Sequence, residues 1–516
     1  MSDVSRNLER AVEQHECPIY ILRGEDGRGL SVSFERDSFA DCLPGISPDN
    51  LGDASFIDRH GVRYPYICGE MANGIATVEM VRESTRAGWL AFFGAAGCAP
   101  DRIERDVVRL RAECGEASWG SNLIHSPHEP QLEEKTVDIY LRQDVRRVSA
   151  SAFMTMRPSI VRYACSGLRQ AADGSVIRRN FVFAKISRPE VARHFLSPAP
   201  EAMLQSLVES RSITPAEAEL ARRVPVAEDI TVEADSGGHT DNRPLNALFP
   251  AVVALRDELQ ARYAFTIPAR IGAAGSIGTP GAVSAAFAMG AAYVLTGSIN
   301  QCARESGLSE EGKKLLAAAT IADVIMAPAG DMFELGVKVQ VLKRGLFFPQ
   351  RAAKLYETYR SYESLEQIPA ALTASLEKDI FKQPLSRVWD ETKKYFEARD
   401  AGQVERANRD PKHRMALVFR WYLGQSSRWA IDGDAGRRVD YQIWCGPAMG
   451  SFNAWVAGSF LEAVENRTVS EIGLNLLYGA AAIARAQQLR SVGIRVPQRL
   501  FSFAPRRFAA TEMARA

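Results

Sequence analysis

The run Asp229-Ile-Thr-Val-Glu-Ala234, continued by Asp235-Ser-Gly-Gly-His239-Thr-Asp-Asn-Arg-Pro244, decides how this chain is read. Its first half is short and β-branched, the pattern of a buried strand. Its second half sets an imidazole at that strand's carboxyl end. Two glycines before it, Gly237 and Gly238, let backbone approach whatever the imidazole faces. In α/β proteins the carboxyl ends of the strands are where sites are built. Alone, the stretch reads equally as a turn with a surface histidine. Two more glycine-bearing strand ends follow it and change that reading.

They are Arg270-Ile-Gly-Ala-Ala-Gly-Ser-Ile-Gly-Thr-Pro280 and Val294-Leu-Thr-Gly-Ser-Ile-Asn-Gln301. A glycine-rich loop that opens onto a helix offers amide N–H groups and the positive end of the helix dipole to an anion. In eight-stranded α/β barrels the loops after the last two strands form the usual phosphate site. Gly275, Ser276, Gly278, Gly297 and Ser298 occupy those two loops. The spacing of Gly272, Gly275 and Gly278 is not that of a dinucleotide fingerprint, and no Gly-Lys-Ser/Thr follows as in a nucleoside-triphosphate loop. A monophosphate cofactor in a barrel fits better.

Outward from these loops the chain alternates. Candidate strands at 66–68, 90–93, 119–123, 147–150, 181–186, 230–233, 265–271 and 293–295 are separated by amphipathic segments such as 76–87, 100–114, 129–142 and 247–262. Eight strands interleaved with helices predict a (β/α)8 TIM barrel, with an open doubly wound sheet as the other arrangement. Two hydrophobic strands around Gly24–Gly29 predict a β-hairpin appendage and linker over 1–58, leaving the barrel at 59–304. The stretch 305–428 is richer in Lys, Glu, Arg and Tyr and predicts a helical insertion after the last strand. A return segment at 429–495 carries the Ala/Leu-rich helix expected to close the barrel, and a basic tail at 496–516 reads as loosely ordered.

Composition sets the class. Of 516 residues, 46% are hydrophobic and 24% charged, which calls for a folded globule of more than one core. Lys and Arg number 63 against 62 Asp and Glu, so no global field favours nucleic acid or an anionic membrane. No charge-free stretch is long enough to span a bilayer. The amino terminus has no apolar signal region, and eight scattered cysteines form no CxxC pair or zinc spacing; reduced thiols in a cytoplasmic enzyme are expected. The sequence leaves the oligomeric state open, a homodimer included.

Two upstream segments complete a cofactor shelf. Backbone at Met71, Ala72 and Asn73 is placed to lie against an isoalloxazine ring, and Asn122 offers a donor and an acceptor to a flavin pyrimidine edge. Lys185, ending the fifth strand, brings a cation that would stabilise an anionic reduced ring. Taken singly, Asn122 is as readily a turn residue and Lys185 a solvated strand end.

These stretches together resemble the PfaD family. They are Met71-Ala-Asn-Gly-Ile-Ala76, Gly120-Ser-Asn-Leu-Ile-His-Ser-Pro127, the Gly-Gly-His loop, Gly278-Thr-Pro280, Thr296-Gly-Ser-Ile-Asn-Gln301, Ala327-Pro-Ala-Gly-Asp-Met-Phe-Glu-Leu-Gly336 through Lys343, and Asp440-Tyr-Gln-Ile-Trp-Cys-Gly446. Members of that family are trans-acting enoyl reductases of polyunsaturated-fatty-acid and trans-acyltransferase polyketide synthases, related to nitronate monooxygenases. The resemblance covers about residues 15–495. It implies FMN reduced by NADPH, and a substrate held as an enoyl thioester on an acyl carrier protein domain. It matches His239 to the active-site histidine and Asn122, Lys185 and the two glycine loops to FMN contacts, with Ser276 where another glycine is expected. His239 then donates a proton to the α-carbon or steadies the enolate oxygen; His125 and His128 are second choices. The basic residues Lys338, Lys343, Arg344, Arg351 and Lys354 are expected near the mouth, facing an acidic carrier protein. Two other readings stay open: a nitronate-oxidising flavoenzyme, and a non-catalytic docking component of a megasynthase.

Overall fold

The computed structural model of the chain describes residues 3–23, 30–35, 40–125 and 130–508. The expected turn at Gly24–Gly29, His128 and the last residues of the tail lie outside them. Eight parallel strands close a barrel in chain order: Tyr66–Cys68, Leu90–Phe93, Gly120–Ile124, Arg147–Ser151, Phe181–Ile186, Asp229–Glu233, Arg270–Ala274 and Val294–Thr296. The eighth pairs back on the first, Val294 with Tyr66 and Leu295 with Ile67. These strands are buried almost throughout, one face by the barrel interior and one by the helices, and their polar residues sit mostly at the strand ends or inside the barrel. The seventh starts later than its apolar run suggested, so Gly272 lies inside the strand. A Cβ there would strike the Tyr293 ring, so this glycine serves packing rather than a loop.

A plug closes the amino-terminal end. Helix Ala54–His60, capped by Asp53 accepting from the Ser55 amide at 2.8 Å, inserts Phe56 against Tyr293 with ring centroids 4.6 Å apart. This helix straddles the boundary expected at 58/59. Beside it, buried Asp229 takes two hydrogen bonds from Arg270 at 2.7 and 2.8 Å and contacts His60 at 3.1 Å. Glu228 likewise binds Arg59 and Arg178.

The appendage is more than a hairpin. Helix Asp3–Glu13 packs with a three-stranded antiparallel sheet, Ile19–Arg23 at its centre and Leu30–Ser33 and Asp41–Leu43 at its edges. Both lie on the barrel-closing helix Val469–Ser491, whose other neighbours are helices Pro280–Ala288 and Val78–Arg86. The tail differs from expectation as far as residue 508. Asn475 and Arg506 exchange hydrogen bonds at 2.7 and 3.0 Å, and Phe508 is buried. The basic composition misled because Arg506 covers the rings of Tyr478 and Phe508 rather than facing solvent alone.

The insertion has its own core, with Phe333, Val339, Phe348, Leu355, Phe381 and Phe419 among its buried members. It is not wholly helical. An antiparallel hairpin, Val324–Pro328 with Lys338–Leu342, stands between helix Glu310–Ala317 and the later helices, and the helix Pro411–Asp432 runs past the expected end at 428. The second hairpin strand also pairs with Gly238–His239, Gly238 opposite Gln340 and His239 opposite Val339. The insertion is thereby stitched to the Gly-Gly-His loop of the barrel.

Candidate active site

One cavity of about 1010 Å³ occupies the carboxyl end of the barrel, roofed by the insertion. Met71, Ala72, Asn73, Asn122, Lys185, Gly237, Gly238, His239, Gly275, Ser276, Gly297 and Ser298 all line it. Gly278 does not. A Cβ at Gly278 would lie 2.8 Å from Ser451 Oγ, so this glycine admits helix Pro447–Val456.

The two glycine loops form a donor set. Among the described residues, no protein acceptor takes the amide N–H of Gly275, Ser276, Gly297 or Ser298. Backbone donors are seldom left unpaired, so four at one cavity wall suit an anion. Gly275 has φ 83° and Ser276 φ 56°, both left-handed. That explains why a glycine is the expected residue at 276. The serine is held there by its hydroxyl, which donates to the Asp235 carbonyl at 3.0 Å.

Gly237 has a different use from the one expected. A Cβ there would sit 2.8 Å from the Cys445 nitrogen, and one on Gly446 would sit 2.7 Å from the Gly237 nitrogen. The close approach is to the return segment, which crosses above the loop. Gln340 locks the loop from the hairpin side, donating to Asp235 Oδ1 at 2.8 Å and to the Ser236 carbonyl at 2.9 Å.

Lys185 is not a lone cation. Its ammonium lies 3.1 Å from Glu70 and 3.2 Å from Glu233. Burial disfavours its charge, but the two carboxylates prevail and hold its pKa above the usual lysine value. Burial, with Glu70 nearby, pushes the Glu233 carboxyl up despite Lys185. Asn122 donates to the Ser149 carbonyl at 3.1 Å and to Ser151 Oγ at 3.0 Å, so its carbonyl oxygen is what remains for a ligand. The Asn73 amide N–H is likewise taken, by the Ala96 carbonyl at 2.7 Å. Glu70 Oε2 and Gln301 Oε1 are buried in the cavity wall without a hydrogen-bond partner among the described residues, whereas Glu70 Oε1 and His239 Nε2 face their ionic partners Lys185 and Asp331.

His239 Nε2 lies 3.3 Å from Asp331 Oδ1, in the hairpin's turn. Burial works against protonation of the ring, but Asp331 and then Glu233 favour it, and the pKa stands above the ordinary histidine value. The other described histidines are elsewhere. His125 is tied to Glu133 at 2.8 Å, His413 to Gln403 at 3.0 Å, and His194 is exposed. Burial pushes the Cys302 thiol up to about 11, which makes it inert.

Glu70, Glu233 and Asp331 were missed in the sequence. Glu233 ends the sixth strand, beside that of Lys185, and Glu70 follows the first strand, across the barrel from it, a meeting that only the closed barrel produces. One face of helix Pro411–Asp432, with Leu417, Arg420, Trp421, Gly424 and Ser427, forms the far wall. Asn73 Nδ2 reaches Ser427 Oγ at 3.5 Å across the gap. Among the described residues no cluster could hold a metal ion.

A parallel barrel with unpaired amides on its last two loops, opening into a cavity with a histidine and a lysine, has the layout of a cofactor-binding barrel enzyme. Comparison with known proteins narrows the class. The enoyl reductase domain of MlnA from the macrolactin cluster of Bacillus amyloliquefaciens superposes with a TM-score of 0.82 and is 36% identical, over 86% of this chain and 99% of that domain. The polyketide biosynthesis protein PksE of Bacillus subtilis is 47% identical over 85% of this chain and 57% of its own length. The polyketide biosynthesis protein ThaF of Burkholderia thailandensis is 43% identical over 87% of this chain but 39% of its own length. The chain thus spans about half, or less, of these curated relatives. Residues 362–441 match the family model "acyl-carrier-protein S-malonyltransferase, inserted helical domain". The chain belongs to the PfaD-like family of trans-acting enoyl reductases.

Proposed function

We propose that this chain is an FMN- and NADPH-dependent enoyl reductase that saturates the α,β double bond of acyl thioesters on an acyl carrier protein domain. The observation that carries this reading is the set of four unpaired amides at Gly275, Ser276, Gly297 and Ser298 in one cavity with His239 and Lys185. The 36% identity to a domain named an enoyl reductase, and the likeness to polyketide biosynthesis proteins, favour this chemistry over nitronate oxidation or a purely structural role.

The four amides would hold the phosphate. The Asn122 carbonyl oxygen and the Met71–Asn73 turn would border the ring system, and Lys185, restrained by Glu70 and Glu233, would offer it a cation. The bound flavin would supply hydride to the β-carbon. As charge develops on the thioester oxygen, the protonated His239 ring delivers a proton to the α-carbon. The insertion's roof excludes water and forms the far wall where the acyl chain lies.

Gly297→Asp tests the cradle. A Cβ at Gly297 meets nothing nearer than Met71 Sδ at 3.9 Å, so the substitution leaves the fold intact while setting a carboxylate beside the phosphate. The purified wild type should show a flavin spectrum and oxidise NADPH with a carrier-bound crotonyl thioester; the variant should be colourless and idle. Full flavin in the variant would move the phosphate site elsewhere. Oxygen consumption with a nitronate, and none of NADPH with enoyl thioesters, would replace the reaction.

A further inference from the structure

The hairpin of the insertion enters the cavity as well as covering it. Its second strand pairs with Gly238 and His239, and Gln340 on that strand binds Asp235 and the Ser236 carbonyl. The turn that joins its two strands is therefore fixed relative to the Gly-Gly-His loop. Asp331 sits in that turn, with Oδ1 3.3 Å from His239 Nε2. Nε2 is buried at that contact. Nδ1 has no protein partner among the described residues and is the ring nitrogen left open to the cavity.

We propose that Asp331 is a positioning residue for His239: its carboxylate takes the Nε2 side of the ring, fixes the ring's rotation, and so presents Nδ1–H to the substrate. A carboxylate on the far nitrogen of an imidazole selects the tautomer and stabilises the charged ring. This rests on the reading of His239 as the proton source. The proton leaves Nδ1 as the α-carbon C–H bond forms. The ring becomes neutral with Nε2–H still facing Asp331, and water re-protonates Nδ1 before the next turnover.

The charged groups that face the ring are Asp331 from the hairpin turn and Glu233 and Lys185 from the sixth and fifth barrel strands. Lys185 opposes protonation and is itself engaged by Glu233 and Glu70. The return segment over the loop, Trp444 to Gly446, adds no charge, since burial keeps Cys445 a thiol. Among the described residues Asp331 is thus the carboxylate in contact with the ring that no cation contacts, Arg420 on the far-wall helix acting on it only from a distance.

The test is the titration of His239 in the whole protein, followed by NMR with labelled histidine and assigned by comparison with His239→Gln. In Asp331→Asn the His239 midpoint should fall by about one unit, the lower end of what removing an adjacent opposite charge does. The alkaline limb of the kcat profile should move down by the same amount, with flavin content unchanged. Above both midpoints kcat should therefore drop about tenfold. Asp331→Glu should restore the midpoint, and Asp331→Ser, also neutral, should repeat the shift. An unmoved midpoint in Asp331→Asn or Asp331→Ser overturns the proposal. A shifted midpoint in a protein that reduces no enoyl thioester leaves the pairing standing and removes the proposed reaction instead.

Discussion

At the amino-terminal end of the barrel His60 lies 3.1 Å from Asp229, and at the carboxyl end His239 lies 3.3 Å from Asp331. The pairs look alike, yet their protons behave in opposite ways. His60 and Asp229 are fully buried, whereas the His239 and Asp331 side chains are 30% and 46% exposed. Burial pushes the His60 pKa down, and the Arg147 and Arg270 guanidinium groups add to this. Asp229 is already engaged by Arg270. Among the described residues no Lys or Arg forms an ion pair with Asp331, on which Arg420 acts only from a distance, and His239 is shifted up. A carboxylate beside an imidazole therefore does not decide its charge; what else that carboxylate binds does. One pair locks a fold, and the other faces the cavity where the proposed reaction would run.

The largest expected effect breaks the first pair. Asp229→Ala removes the carboxylate that hydrogen-bonds buried Arg270 and leaves it only Glu228 at 3.8 Å, which should cost about 3–5 kcal/mol. Thermal or urea denaturation would show it, while Asp331→Ala should stay within about 0.5 kcal/mol of wild type. Equal losses at both ends would erase the distinction. The pH dependence sharpens it. Burial alone would raise the Asp229 carboxyl, but Arg270 and His60 hold it well below the usual carboxylate range. Its contribution is present above the unfolded value of about 3.9 and is lost as pH falls further. His60, shifted down, costs stability as pH falls below about 6.5, because the unfolded chain binds the proton more readily. His239, shifted up, does the reverse: its contribution is complete below about 6.5 and fades as pH rises through its folded value. His60→Gln should flatten the loss of stability between neutral and mildly acidic pH, and His239→Gln should not.

Next in size is the catalytic end. His239→Ala should keep its flavin and its melting temperature but lose roughly a hundredfold or more of its turnover on enoyl thioesters. Wild-type turnover would remove His239 from the mechanism and leave the second pair without a chemical role.

The barrel was legible because eight apolar runs ended in turn residues, and the cavity wall was legible because its glycines interrupted them. Local signals pointed to His239, Lys185 and the two glycine loops, all of which line the cavity. They did not separate cradle glycines from packing glycines. Gly278 and Gly272 look like Gly275 in the chain, and the absent Cβ of each has close neighbours, Ser451, Tyr293 and the Ala234 backbone; only the place of Gly275 on the cavity wall tells them apart. Asp331 was equally hidden. It lies 92 residues after His239, inside a stretch read as helical, and a two-residue strand at Gly238–His239 is too short to announce a partner. The tail and appendage were misjudged for one reason: both are completed by helix Val469–Ser491, which lies far from the appendage in sequence and is folded back upon by the tail.

The smallest expected effect concerns the cations. At the amino-terminal end Arg59, Arg178 and Arg270 all have carboxylate partners. Of the basic residues expected at the mouth, Arg344 is paired with Asp323, Arg351 with buried Asp440, and Lys354 with Ser375. Lys338 is exposed, lines the cavity, and has no side-chain partner among the described residues. It stands on the strand that pairs with His239, so a carrier protein guided there would deliver its thioester to the catalytic pair. One exposed charge contact is worth little, and reversing it about twice as much. Lys338→Glu should raise KM for a carrier-bound enoyl substrate by about threefold to tenfold, the equivalent of roughly 0.6–1.4 kcal/mol. The difference from wild type should shrink as salt is added. A small pantetheine-mimic thioester should be turned over as before, because its binding uses the cavity rather than the rim. If both substrates lose alike, Lys338 serves the pocket itself. The open cations would then be as structural as the paired ones below.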